Sequence, residues 1–479
     1  MLLSLIMIPI LGAIILMFVE NDNKIKTISL TTSLINLLIT SILWINFNNN
    51  CHEYQFVEEW TNISFCHFHL GVDGISLPFV ILTTFILPIC ILVSWSSINK
   101  NIRYFFILFL ILESLLIAVF VVLDLLLFYI TFESCLIPMF LIIGIWGSRE
   151  RKIHAAMMFF LYTLLGSLFM LFAILIMYSA IGSTDFQILT LTEISGYRQN
   201  ILWLGIFLSL AVKTPMIPFH LWLPEAHVEA PVGGSVILAG VLLKLATYGF
   251  LRVCLPILPE ASHYFTPMVY TIATISIIYS SFTTLRQIDL KKIIAYSSIG
   301  HMSIGLLGIF SNTIQGIEGA ILLSIAHGIV SPALFICVGV LYDRYHSRLI
   351  KYYRGLVISM PLFSIIFFIF TLANMATPLT ANFIGEFLTF TGSFQKNPIL
   401  TAISATSMVL VAGYSIWLYN RICFGNESIY LIKTKDITRR EFFLFLPLVF
   451  LTFILGIYPN IMLDSIHLSV STLLHIANN

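Results

Sequence analysis

The chain has 479 residues, 59% of them hydrophobic and 10% charged, with a formal net charge of +1. Soluble domains carry about 25% charged residues, so this composition excludes an ordinary soluble fold and points to an all-α polytopic membrane protein. The near-neutral balance gives no footing for nucleic acid, and the absence of GxGxxG, GxxxxGK[ST] and CxxC patterns argues against a bound nucleotide, flavin, iron–sulfur cluster or zinc ion.

A helix needs about 20 apolar residues to cross about 30 Å of hydrocarbon. Residues 2–18 are apolar, but Glu20 and Asp22 follow where a cleavage site would need small residues, so this stretch reads as a first span. About fourteen spans are predicted in all, at 2–19, 27–46, 78–97, 104–122, 125–143, 154–180, 202–224, 232–254, 267–285, 292–311, 317–342, 361–391, 399–422 and 442–461. Segment 46–77 is polar, acidic and loop-like, and 464–477 reads as an interfacial helix. The seven cysteines, Cys51, Cys66, Cys90, Cys135, Cys254, Cys337 and Cys423, are scattered singly along this map. The gaps between spans leave no room for a soluble domain.

Alternating spans sort the lysines and arginines unevenly. One side receives 19 of them, including Arg149, Arg151 and Lys152, and the other receives only Arg198, Arg252 and Lys396. By the positive-inside rule the basic side is the cytoplasm or an organelle matrix, and both termini face the opposite side.

What remains inside the spans is Glu113, Asp124, Glu133, Lys213, Lys244 and Glu386, with His220, His301 and His327. An ionised group at mid-bilayer costs roughly 2.5–3.5 kcal/mol on insertion scales, and such residues mark ion or proton pathways unless they are structural ion pairs. Asp124 starts the span that holds Glu133 and is expected near its surface end. Histidine titrates near neutral pH and can pass protons, although each of these histidines could also be a satisfied core residue. In "AVKTPMIPFHLWLPEAH", residues 211–227, Pro215 and Pro218 interrupt the helix ladder beside Lys213. Thr377-Pro378 repeats the device before Glu386, and a third break is expected where Gly328 and Pro332 follow His327. Two Thr-Pro breaks hint at two halves of five spans with opposite orientation, a known transporter design. The halves would occupy 104–254 and 267–422, after N-terminal helices and the acidic loop over 1–103 and before a C-terminal helix and tail over 423–479. Glu225, His227 and Glu229 read as a short acidic loop on the basic side, feeding protons or merely capping helix ends.

"AVKTPMIPFHLWLPEAHVEAPVGGSVILAGVLLKLATYG", residues 211–249, closely resembles the most characteristic stretch of the antiporter-like subunits of respiratory complex I. "DLLLFYITFESCLIPMFLIIGIWG", residues 124–147, is similar to the fifth-helix region of the subunit 4 branch, and Glu386 selects that branch because its sisters carry lysine there. The resemblance covers about residues 70–460. It implies fourteen helices with two inverted five-helix repeats and discontinuous seventh and twelfth helices. It also implies a proton relay in which Glu133 pairs with Lys213, Lys244 connects centrally, His301 and His327 lead onward and Glu386 ends the row, with Asp124 in a lesser role. The family often has lysine where this chain has Glu225, so no role carries over there.

The resemblance implies a proton-translocating subunit of NADH:ubiquinone oxidoreductase with no cofactor of its own, NADH, FMN, iron–sulfur clusters and ubiquinone being held elsewhere in the complex. Its partners would be other complex I subunits, including sister antiporter-like subunits, and membrane lipid, with no nucleic acid. Phe, Ile and Asn richness adds to the expectation of a mitochondrial inner membrane, with both termini on the intermembrane-space side, over a bacterial plasma membrane. Two other readings use the same charges: a subunit of a cation/proton antiporter, and a purely structural membrane subunit.

Overall fold

The computed structural model describes residues 1–60, 68–428, 430 and 435–478. Cys66 and Lys433 lie outside the described residues. In hydrocarbon a lipid-exposed backbone has no water to satisfy its N–H and C=O groups, so apolar runs fold as helices. In chain order these are α1 (Leu2–Met17), α2 (Asp22–Ile45), α3 (Ser76–Ser97), α4 (Ile102–Val121), α5 (Leu125–Trp146), α6 (Lys152–Ile181), α7 (Gly196–Lys213) and α8 (Trp222–Glu229). They continue with α9 (Val232–Ile257), α10 (Pro259–Arg286), α11 (Leu290–Ile309), α12 (Ile314–Tyr345), α13 (Pro361–Asn374), α14 (Ala381–Lys396), α15 (Pro398–Cys423), α16 (Arg439–Ile457) and α17 (Asn460–Asn478). Among the described residues 11 helices are long and apolar enough to cross a membrane, and α1 and α13 are shorter apolar helices.

Burial grades these helices. On α6, Leu161, Leu165 and Phe172 are 53%, 62% and 64% exposed, an apolar stripe suited to lipid. The most apolar windows of α9 and α12 are 100% buried. These two helices form the axis of the bundle, and whatever ionisable groups they carry lie in protein.

The predicted 202–224 span divides into α7 and α8, and 361–391 divides into α13 and α14, each at its Thr-Pro. The freed backbone groups at the first break find partners. Thr214 N–H and hydroxyl bond the Leu210 carbonyl, Met216 N–H bonds the Ala211 carbonyl, and the Trp222 indole donates to the Val212 carbonyl at 2.9 Å.

Three expectations change. Pro332 does not break α12, which runs unbroken from Ile314 to Tyr345; the proline ring instead packs on α9 beside Gly240. Segment 46–77 is more than a loop: β1 (Gln55–Trp60) pairs antiparallel with β2 (Phe68–Val72), and Glu58 accepts from the Leu2 and Leu3 amides, capping α1. Glu225, His227 and Glu229 sit on helix α8 rather than in a loop.

Candidate functional site: a row of buried ionisable side chains

Lys244 lies mid-way along α9, 0% exposed, between two π-helical segments, Leu238–Leu242 and Phe250–Cys254. Small residues bring α9 and α12 close: a Cβ on Gly328 would lie 3.0 Å from the Gly240 carbonyl oxygen. That approach sets Lys244 Nζ 2.8 Å from His327 Nδ1, while the same ammonium donates to the Ala239 carbonyl. His327 is 1% exposed, and its ring centroid is 5.6 Å from that of His301 on α11. His301 Nδ1 lies 2.7 Å from Glu386 Oε1 on α14. Four helices thus deliver four side chains into one continuous row.

With Lys244 protonated and Glu386 ionised, the hydrogen bonds fix the ring tautomers. A protonated Lys244 has only donors, so His327 Nδ1 accepts and its proton sits on Nε2. A carboxylate has only acceptors, so His301 Nδ1 donates to Glu386 and leaves Nε2 with a lone pair. Both Nε2 atoms are buried without a hydrogen-bond partner. Neighbouring rings therefore offer one donor and one acceptor, the arrangement a proton handover needs. Beside His301 a cavity of about 10 Å³ is lined by Ser280, Ser281, Ser297, Ser407 and Tyr414. That is near the lower limit for one water, and the Ser407 hydroxyl on its wall is buried without a hydrogen-bond partner.

Glu133 and Lys213 are arranged differently. Lys213, 4% exposed, ends α7 at the Thr-Pro break. Its Nζ donates to the Phe132 carbonyl at 3.0 Å and lies 3.4 Å above the Phe132 ring. The carbonyl is within reach because α5 interrupts its helical ladder at Cys135, three residues before Pro138. Both carboxylate oxygens of Glu133 are buried without a hydrogen-bond partner. Among the described residues these two charges are neighbours with no direct ion pair.

Asp124 is 0% exposed but sits at the start of α5, where it accepts from Leu126 and Leu127 amides and from the Thr184 hydroxyl at 2.6 Å. It caps a helix there, nine residues and roughly 13 Å of helix from Glu133. Glu113 accepts from Asn36 at 2.9 Å, tying α4 to α2. His220 packs between Tyr279 and Tyr296. Glu225 pairs with Lys292 at 2.7 Å near the basic face.

His227 is the residue that sequence reasoning undervalued. It is fully buried, stacked on Phe335 at 4.5 Å, with neither ring nitrogen bonded. Lys244 and Lys291 are both in electrostatic range. Lys291 donates to the Ala230 carbonyl at 2.8 Å, and buried Glu229 lies 3.9 Å from Arg348. Glu229 also lines a cavity of about 830 Å³ with Arg149, Arg151, Glu225, Asp289 and Lys292. The sequence signal was present: two histidines seven residues apart, His220 before the helix that follows the break and His227 within it. Among the described residues no group of three or more His, Cys, Asp or Glu is placed to hold a metal ion.

Residues 122–411 match the family profile described as NADH:quinone oxidoreductase/Mrp antiporter, and residues 1–122 match that of NADH-ubiquinone oxidoreductase chain 4, amino terminus. The chain is 58% identical to NADH-ubiquinone oxidoreductase chain 4 of Mycosarcoma maydis, with 100% of each covered. It is 57% identical to the protein of that name from Arabidopsis thaliana, over 98% of this chain and 96% of that one. Its fold is similar to a chain of respiratory complex I from Thermus thermophilus with bound NADH, at TM-score 0.92, 26% identity and 100% coverage of both. A chain of the membrane-bound sulfane sulfur reductase, an archaeal respiratory membrane complex, shares the fold at TM-score 0.88 and 20% identity, covering 99% of each.

Proposed function

The chain belongs to the NADH-ubiquinone oxidoreductase chain 4 family, and from that premise we propose that its row of buried ionisable side chains carries protons across the membrane. It is an antiporter-like, proton-pumping membrane subunit of respiratory complex I. The observation that carries the relay reading is the unbroken sequence of contacts Lys244–His327–His301–Glu386 in the protein-enclosed core.

Each member has a role in this reading. Lys244 holds a proton at the centre, His327 and His301 hand it on through their Nε2 atoms, and Glu386 receives it. Glu133 and Lys213 form the input switch: when Lys213 leaves the Phe132 carbonyl for the Glu133 carboxylate, the positive charge facing Lys244 changes. The charge that moves costs about 2.3 kcal/mol per 100 mV, so quinone reduction elsewhere in the complex supplies the drive. Asp124 serves the relay only by fixing the start of α5. We place the two halves, 104–254 and 267–422, in opposite orientations, and the chain in a mitochondrial inner membrane with both termini on the intermembrane-space side. Other complex I subunits are its partners, and NADH, FMN, iron–sulfur clusters and ubiquinone reside in those.

The test replaces Lys244 with Ala in the intact complex. NADH oxidation by an artificial acceptor is expected to persist while coupled proton pumping is lost. Pumping at the unmodified ratio of protons to electrons would remove Lys244 from the path.

A further inference from the structure

Eight residues beyond Lys244, and roughly 12 Å nearer the sparsely charged face, α9 carries Arg252. Its guanidinium lies 2.7 Å from Asp73 and donates to the Tyr54 hydroxyl at 2.9 Å and to the Tyr248 hydroxyl at 3.3 Å. Arg252 and Asp73 line a cavity of about 750 Å³ together with Glu53, Glu59 and His69, and His69 pairs with Asp185 at 3.2 Å. Polar groups and space thus reach inward to Arg252 from the face opposite the basic loops.

Between Arg252 and Lys244 stands Tyr248, one helical turn from each. Its ring packs against Phe79 at 6.0 Å, Phe120 at 5.2 Å and Phe128 at 6.2 Å, and Phe79 stacks on Phe120 at 5.3 Å. All four rings are 0% exposed. The Tyr248 hydroxyl donates to the Phe120 carbonyl at 3.1 Å, so its proton is committed and Arg252 occupies a lone pair. Nothing in this layer can relay a proton while it holds.

We propose that Asp73, Arg252 and Tyr248, with the phenylalanine layer, form the closed gate of a second proton port that joins Lys244 to the cavity on the sparsely charged face. This rests on the reading of Lys244 as a proton carrier. Apolar constrictions gate by excluding water, and a pump needs such a seal because the membrane potential drives protons backward. Parting Arg252 from Asp73 releases the guanidinium into the cavity and uncovers the Tyr248 hydroxyl to water. The proton then leaves the Lys244 ammonium, which becomes a neutral amine, and passes by water to the Glu53 and Glu59 carboxylates that line the cavity.

The intact complex in sealed liposomes, under an imposed pH difference and without NADH, reads the gate directly as passive proton entry reported by a trapped dye. Asp73→Asn is expected to raise that flux at least fivefold over the unmodified complex. Phe120→Ala, which thins the aromatic layer without touching the ion pair, is expected to raise it as well. Adding Lys244→Ala to Asp73→Asn is expected to return the flux to the unmodified level. Tyr248→Phe keeps the ring and is expected to leak less than Asp73→Asn. Assembled Asp73→Asn and Phe120→Ala complexes that stay as tight as the unmodified one would overturn the gate, as would a leak that survives in the double variant. Pumping by Lys244→Ala alone separates the two readings: lost pumping with tight Asp73→Asn vesicles defeats the gate only, whereas retained pumping defeats the relay itself.

Discussion

Lys244, His327, His301 and Glu386 touch in sequence, whereas Glu133 and Lys213 are held apart by what Lys213 touches instead. The second half of the row has hydrogen bonds at two places, Lys244–His327 and His301–Glu386, with the two histidine rings 5.6 Å apart between them. In the first half the ammonium is parked on a carbonyl and an aromatic face. A hydrogen bond to a charged group contributes about 1.5–3 kcal/mol and a desolvated cation–π contact roughly 2 kcal/mol. Turning Lys213 toward Glu133 gives up both, so that turn needs either water or a push from a neighbour. Under the proposed relay, the difference suits one half to conduction and the other to control.

Three substitutions would break or sharpen that contrast. Glu386→Gln has the largest expected effect, because the amide keeps the contact with His301 but cannot take up a proton. Coupled pumping is expected to fall by at least roughly tenfold, within the range that positioned proton acceptors contribute. A proton-to-electron ratio unchanged by Glu386→Gln would end its assignment as receiver.

Gly328→Ala comes next. The added Cβ would lie 2.6 Å from Leu82 and 3.0 Å from the Gly240 carbonyl, forcing α9 and α12 apart beside the Lys244–His327 contact. Overpacking of this kind costs about 1–3 kcal/mol. A lower melting temperature together with severalfold slower pumping is expected. Normal pumping with reduced stability would show that the 2.8 Å contact is not needed for conduction.

Phe132→Leu is the mildest. It keeps apolar bulk under Lys213 and removes the ring face, leaving the carbonyl bond in place. The retained bond to the residue 132 carbonyl, worth about 1.5–3 kcal/mol, still holds Lys213, so a change of no more than about threefold in pumping rate is expected, with quinone reduction still coupled. Full uncoupling by Phe132→Leu would mean that the ring, rather than the carbonyl, is what restrains Lys213.

Much of this arrangement was legible in the chain itself. The cost of a charge in hydrocarbon singled out Lys213, Lys244, Glu133 and Glu386, and the Thr-Pro pairs marked the breaks at α7/α8 and α13/α14. Pro332 misled because a proline removes one hydrogen bond but does not decide whether the helix resumes. Here the ring fits against Gly240 and α12 continues. The separation of Lys213 from Glu133 depends on a free carbonyl at Phe132, a product of where α5 interrupts its ladder, and no residue type announces it. His227 was hidden because burial is a property of neighbours: the segment after the break looks polar, yet α6, α9 and α11 close over it. The pairing of β1 with β2 was lost in an acidic segment, one of whose carboxylates, Glu58, caps α1.

The π-helical segments of α9 have a mechanical consequence. Each widened turn stores one surplus residue, so the rod that bears Lys244 has spare length on both sides of it. Handing a surplus residue past the lysine would swivel its side chain by about 100° without unwinding the rod. Such a shift would change the bearing of the central cation more than its depth along the bilayer.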